Sequence, residues 1–243
     1  LNIIALLTGR GNNTLPNKNI IPINGKPLLY YPATEAKKCW EIIDYYVTSD
    51  DDKILKEASD LGYKKIKRPV EYAQPDSQIS DCIVHALEIM NTPGNRWMTN
   101  PIEILVVLLA NSATIKSKWI SDCISMIKQN PEISAAIPVK QDNDHHPYRS
   151  KRINDDGFLD VWGNSKNQGT SQNRQDLEPN FFPCHNFWVL NVDKCFGVDD
   201  QPPFNFMGNK VKPYIVDYSL DVHYEEDIYL TELWVNRERK NEL

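Results

Sequence analysis

The stretch Gly9-Arg10-Gly11-Asn12-Asn13 has the composition of an anion site. Two glycines let backbone N–H groups approach a phosphate, and the arginine between them can pair with it. Lys18 supplies a second cation close by. The same Gly and Asn residues are also what an ordinary turn between a strand and a helix needs, so the loop taken alone admits both readings. It lacks the Gly-Lys-Ser/Thr ending of a Walker loop and the three-glycine spacing of a dinucleotide fingerprint, which disfavours classical ATPases and dehydrogenases.

Other reactive types have competing explanations. Asp50, Asp51 and Asp52 open a helical pattern, where capping and the helix dipole account for three carboxylates. His145 and His146 could shuttle protons, but adjacent histidines in a polar stretch equally serve as surface or interface residues. Cys184 and His185 are neighbours in sequence, which does not by itself make a thiol nucleophile.

The elements that must position these residues follow from hydrophobic patterning. Short β-branched runs alternate with longer amphipathic stretches, as βαβ units around a mainly parallel sheet require. Strands are expected at 3–7, 42–48, 64–67, 102–109, 134–139, 187–191 and 211–216, and helices at 28–38, 54–61, 79–90, 119–128 and 225–239. The run 102–109 is almost continuous in Ile, Val and Leu and reads as a central strand covered on both faces. Residues 91–100 read as a surface loop. In such sheets ligands bind beyond the carboxyl ends of the strands, so the loops after Leu7, Thr48 and Leu109 should converge on one cleft. Residues 141–180 break the alternation, being rich in Asn, Asp, Gln and Lys, and read as an insertion or arm.

Composition narrows the class. With 243 residues, 41% hydrophobic and 25% charged, the chain can bury one continuous core, and a single domain over 1–243 is expected. A net charge of -6 argues against general nucleic-acid binding, so any phosphate site must be local. Five cysteines without a CxxC pair indicate neither a disulfide framework nor a structural zinc. No apolar run approaches the roughly 18 residues of a membrane span, and 2–7 lacks the basic start of a signal peptide. A reducing cytoplasm is the expected compartment.

Together the motifs resemble those of the acylneuraminate cytidylyltransferases, the CMP-sialic acid synthetase-like family. The opening glycine loop is followed by Leu15-Pro16-Asn17-Lys18-Asn19 and Gly25-Lys26-Pro27-Leu28, then by Thr48-Ser49-Asp50 and by Arg68-Pro69 with His85-Ala86-Leu87. His145-His146-Pro147, Arg174-Gln175 and Pro183 come next, and Ser219-Leu220-Asp221-Val222-His223 with Asp227 resembles the family's Ser-x-Asp-x-Asp segment before the last helix. The resemblance covers nearly the whole chain in order.

It implies a three-layer, Rossmann-like α/β nucleotidyltransferase fold with a mixed, mainly parallel sheet, and a dimerisation or substrate arm at about 140–183. The implied reaction transfers CMP from CTP to a sialic-acid-like or related α-keto acid sugar and releases pyrophosphate, with Mg2+, or alternatively Mn2+, steadying the charge. Implied roles are catalytic for Arg10, Lys18 and Asp221, and nucleotide-binding for Gly9, Gly11, Asn12, Asn19, Arg68 and Ser77. Arg149, Arg174 and His185 would meet the acidic sugar, and Asp221 and His223 the metal. A homodimer is implied as well. Alternatives are cytidylyl transfer to another acceptor, such as a phosphorylated sugar or polyol, and a nucleotide-binding homologue without catalysis.

The chain departs from the family pattern at several positions. The glycine loop is one residue shorter and carries Asn13-Thr14 where Ser-Lys-Gly is usual, so a phosphate-binding lysine is missing. Ala110-Asn111-Ser112-Ala113-Thr114 replaces Gln-Pro-Thr-Ser-Pro, and Phe182-Pro183-Cys184-His185 replaces Arg-Pro-Asn-Gly. The second metal carboxylate becomes His223, a poorer partner for hard Mg2+ than an oxygen ligand.

Overall fold

The computed structural model describes residues 1–11, 13–162, 171–197 and 201–241. The apolar run at the start forms β1 (Ile3–Thr8), buried at every position. A strand turns successive side chains to opposite faces. Ile3, Ala5 and Leu7 therefore enter one core cluster while Ile4 and Leu6 enter another. The chain then makes a tight hairpin of β2 (Pro22–Ile23) and β3 (Lys26–Pro27), whose two-residue turn has φ +47° at Asn24 and +76° at Gly25. Asn-Gly is the sequence that tolerates these left-handed positions. Helix α1 (Tyr30–Lys37) follows, with Pro32 in its first turn, where a missing N–H costs nothing.

The next units are β4 (Asp44–Ser49), α2 (Asp52–Asp60), β5 (Lys64–Lys67), α3 (Ile79–Met90) and β6 (Ile104–Leu109). After them come α4 (Ser117–Gln129), β7 (Ala135–Gln141), a small hairpin of β8 (Lys151–Ile153) and β9 (Leu159–Val161), and β10 (Phe181–Pro183). The chain closes with β11 (Phe187–Asn191), the short α5 (Val192–Cys195), β12 (Val211–Val216) and α6 (Glu225–Asn241). In the large sheet β5, β4, β1 and β6 are parallel neighbours, β11 lies antiparallel between β6 and β7, and β12 runs parallel to β7 on the far edge. The result is the mixed, mainly parallel sheet expected from the sequence.

Two layers of packing cover it. On one face α1, α2, α4 and α6 contribute Ala33, Leu55, Ile120 and Trp234 to a single cluster. On the other, Ile83, Ala86 and Met90 of α3 pack with Trp97, Phe206 and Met207. Trp97 corrects the expectation that 91–100 is only a surface loop. It sits in a 3-10 turn, is 1% exposed, and donates its indole N–H to the Tyr46 hydroxyl at 3.0 Å, which anchors the loop to the sheet.

The polar stretch after β7 leaves the sheet at 142 and returns as β10, carrying the β8–β9 hairpin outside the main sheet. None of the described helices is long and apolar enough to cross a membrane.

Candidate active site

Because β1, β4, β6, β7 and β12 all run the same way, their carboxyl ends share one edge of the sheet, joined there by the approach to antiparallel β11. The loops after β1, β6, β7 and β12 and the segment Cys184-His185-Asn186 therefore meet along this edge, at the place where open α/β sheets bind ligands.

At one part of this edge a cavity of about 290 Å³ opens, lined by Gly9, Arg10, Lys18 and Asn19 from the loop after β1, Arg68 and Ser77 from the segment after β5, and Asn111 after β6, with Tyr72, Gln74 and Cys82 on the α3 side. Three of the lining residues are cations and none is acidic, a local excess of positive charge in a chain of net charge -6. Burial holds the Lys18 ammonium below its usual value, opposed by Asp221 and Asp227 and reinforced by Arg10, so both aspartates are near enough to act on it. Arg10 spans the mouth: its Nη1 donates to the Gln74 carbonyl at 2.6 Å, while its own carbonyl accepts from Asn13 and Asn19. Arg68 is 5% exposed and donates to the Thr48 carbonyl at 2.8 Å and the Thr48 hydroxyl at 3.3 Å, with no carboxylate partner among the described residues.

The two glycines of the loop also have a packing role. Gly9 N–H donates to the Thr48 carbonyl at 3.3 Å and Gly11 N–H to an Asp50 carboxylate oxygen at 3.0 Å, so both donors are engaged within the protein. What the absent side chains permit is close packing. A Cβ at Gly11 would lie 2.8 Å from the Asp51 Cβ, and one at Gly9 would lie 3.1 Å from the Ala110 Cβ and the Asn19 amide. Asp51 caps α2 by accepting from Lys53 N–H at 2.7 Å, the structural role anticipated for the aspartate run. Asn12 lies outside the described residues. The Ser77 hydroxyl is spent on its own turn, accepting from Gln74 N–H and donating to the Glu71 carbonyl, both at 2.9 Å.

Asp221 sits with an oxygen 2.5 Å from His223 Nε2 and 4.0 Å from His185 Nδ1. Asp227 caps α6 by accepting from the backbone N–H groups of His223 and Tyr224. Among the described residues no group of three or more His, Cys, Asp or Glu is arranged to hold a metal alone. A Mg2+-like ion takes one or two carboxylates and fills its remaining positions with substrate phosphates and water, so Asp221 is the oxygen donor such an ion could use here, while the His223 imidazole suits it less well. Cys184 is buried, and burial raises its thiol, with Asp221 adding to the rise while Ser219 and Lys140 oppose it.

Arg149 and Arg174 lie on the arm, and both face Asp144, at 3.6 and 2.5 Å; neither lines the cavity. His145 is exposed and bonded to Asp142 at 2.9 Å, whereas His146 is buried against Tyr148. Residues that sequence reasoning passed over include Asn111, Tyr72, Gln74 and Cys82. For Asn111 the signal was present in its position just past the central strand.

The family model described as Cytidylyltransferase matches residues 10–156, more than half of the chain. An 8-amino-3,8-dideoxy-manno-octulosonate cytidylyltransferase of Shewanella piezotolerans is 30% identical over 110 residues, 43% of this chain and 45% of that one. Its counterpart in Shewanella baltica is 25% identical over 132 residues, 54% of this chain and 49% of that one. The alignment thus spans less than half the length of either relative. Among solved structures, a CMP:2-keto-3-deoxy-manno-octonic acid synthetase complexed with CTP superposes with a TM-score of 0.69 at 13% identity, covering 98% of this chain and all of that one. A 4-diphosphocytidyl-2C-methyl-D-erythritol synthase of Anaerococcus prevotii gives 0.63 at 14% identity, covering 97% and 96%. These two establish likeness of fold. The matched segment 10–156 takes in Arg10, Lys18 and Arg68, the residues that make the cavity cationic, and the chain belongs to the cytidylyltransferase family.

Proposed function

We propose that this chain transfers the cytidylyl group of CTP to the hydroxyl of an acidic α-keto sugar, releasing pyrophosphate. The observation that carries the reading is the cavity at the carboxyl edge, with three cations, no acid in its lining, and Asp221 near enough to act on Lys18. A triphosphate needs such compensation, and preorganised cations act most strongly where water is excluded. The names of the relatives, 8-amino-3,8-dideoxy-manno-octulosonate cytidylyltransferases, favour an eight-carbon octulosonate over a sialic acid as the acceptor.

In this reading Arg68 and Asn19 hold the nucleoside end, while Lys18 and Arg10 bind the outer phosphates. The acceptor oxygen attacks the α-phosphorus in line with the leaving group. The bond from the α-phosphorus to the bridging oxygen breaks, its electrons go to pyrophosphate, and the hydroxyl proton passes to solvent. Lys18 and Arg10 meet the charge that builds on the leaving phosphates. A divalent ion held by Asp221 and His223 would add charge neutralisation on the triphosphate when bound. The sugar then lies near His185, beside Asp221. Arg149 and Arg174 reach it if the arm turns them away from Asp144 or presents them to a neighbouring subunit.

The arm supports a homodimer. The β8–β9 hairpin leaves Ile153, Phe158 and Leu159 at least 70% exposed, an apolar face that a second copy would cover, and isolated two-stranded hairpins are marginal in water.

The test is an acceptor panel with CTP and Mg2+ or Mn2+, comparing octulosonic, 8-amino-octulosonic, sialic and related nonulosonic acids with a phosphorylated polyol. Turnover with the octulosonates supports the reading. Turnover confined to the phosphorylated polyol replaces it.

A further inference from the structure

The segment that carries Asp221 has no regular structure of its own. Residues 217–224 lie between β12 and α6, outside any ladder or helix, so something else must fix the carboxylate. The fastening comes from the loop after β6. Val222 N–H donates to the Asn111 carbonyl at 2.8 Å, and Leu220 N–H donates to the Thr114 hydroxyl oxygen at 2.8 Å. The Leu220 carbonyl in turn accepts from the Ser112 hydroxyl at 2.7 Å and lies 3.0 Å from the Thr114 hydroxyl. Both peptide groups that flank Asp221 are thus tied to one short loop more than a hundred residues earlier.

Ser112 and Thr114 are 0% exposed, and they lie 3.1 Å apart. Each has one proton. If both hydroxyls donate to Leu220 O, or if Thr114 donates to Ser112 and Ser112 to Leu220 O, every partner is satisfied, with Thr114 also accepting from Leu220 N–H. The loop is rigid in its own right. Asn186 donates to the Thr114 carbonyl at 2.9 Å, and Leu109 N–H donates to the Asn186 carbonyl at 3.0 Å. Asn111, which begins the loop, lines the cationic cavity. The wall of the nucleotide cavity and the mount of Asp221 are therefore one piece of chain.

We propose that Ser112 and Thr114 are positioning residues that set the Asp221 carboxylate against the nucleotide cavity. They touch neither nucleotide nor ion and act only through the backbone of Leu220. The proposal rests on the reading of Asp221 as the group that serves the triphosphate and its ion.

Thr114→Val keeps shape and removes both hydrogen-bonding functions, Ser112→Ala removes one donor, and Thr114→Ser restores the hydroxyl. Three measurements on each variant separate the outcomes: amide hydrogen exchange of 217–224, Mn2+ binding in the presence of CTP by electron paramagnetic resonance, and steady-state kinetics. Expected for Thr114→Val are faster exchange confined to 217–224, a weaker Mn2+ complex, and a kcat lowered roughly ten- to a hundredfold, with CTP affinity measured without metal unchanged. Thr114→Ser recovers most of each loss, and Ser112→Ala gives a smaller loss of the same kind should the valine variant not fold. Faster exchange with unchanged Mn2+ binding and kcat overturns the proposal, as does a parallel loss of metal-free CTP affinity. If the wild-type chain turns over no acceptor, the functional reading fails on its own, while exchange and Mn2+ binding still decide whether these hydroxyls place Asp221.

Discussion

The Arg68 guanidinium lies 2.8 Å from the carbonyl oxygen of Thr48, and this bond joins a buried cation to a neutral partner. A buried charge compensated only by neutral groups is costly to the fold, and an acceptor brought by a ligand offsets that cost. Arg68→Met, which keeps most of the packing, is expected to leave the melting temperature unchanged or raised. CTP affinity should fall roughly ten- to a hundredfold, the worth of one charge-assisted hydrogen bond. Calorimetric titration with a parallel melting curve checks both signs.

Lys18 bears on the phosphates rather than the base. Lys18→Met should lower affinity for CTP by roughly tenfold or more and spare CMP, which has no outer phosphates to lose contact with. An equal loss for both nucleotides would assign Lys18 to the nucleoside end.

Much of this site was legible in the sequence because it is local. The glycine loop and Lys18 fall within one strand-to-helix connection, and Asn24-Gly25 announces its own turn. What was not legible depends on contacts distant in sequence. The ties from Ser112 and Thr114 to Leu220 span 108 and 106 residues. The pairing of Arg174 with Asp144 spans 30, and nothing in the arm's composition indicates which charges meet. The packing role of Gly11 was hidden for the same reason, since the close neighbour that demands a glycine is Asp51, on another loop.

That contact makes Gly11 sensitive to the smallest enlargement. In Gly11→Ala the new methyl would sit 2.8 Å from the Asp51 Cβ, so either the loop or the cap of α2 must shift. A loss of about 1–3 kcal/mol in a urea unfolding curve is expected.

The five cysteines are free and buried. Burial pushes the Cys39 thiol up to about 11 and that of Cys195 up to about 12. An unfolded thiol ionises near pH 8.5, so above that the unfolded chain releases protons that the folded chain retains. The stability these thiols contribute is whole below about pH 8.5 and declines as pH rises towards their folded values. Urea midpoints measured from pH 7 to 10 should fall, and less steeply in Cys195→Ala. Alkylation of the native chain at pH 8 should be slow and become rapid on unfolding.

The central claim is tested most directly by pyrophosphate release from CTP, with Mg2+ or Mn2+ and an octulosonic acid, using ATP, GTP and UTP as controls. The account predicts release that requires both CTP and the acid, is matched by a CMP-sugar of the expected mass, and is abolished in Asp221→Ala. Tight binding of CTP with no release for any acidic sugar would contradict it.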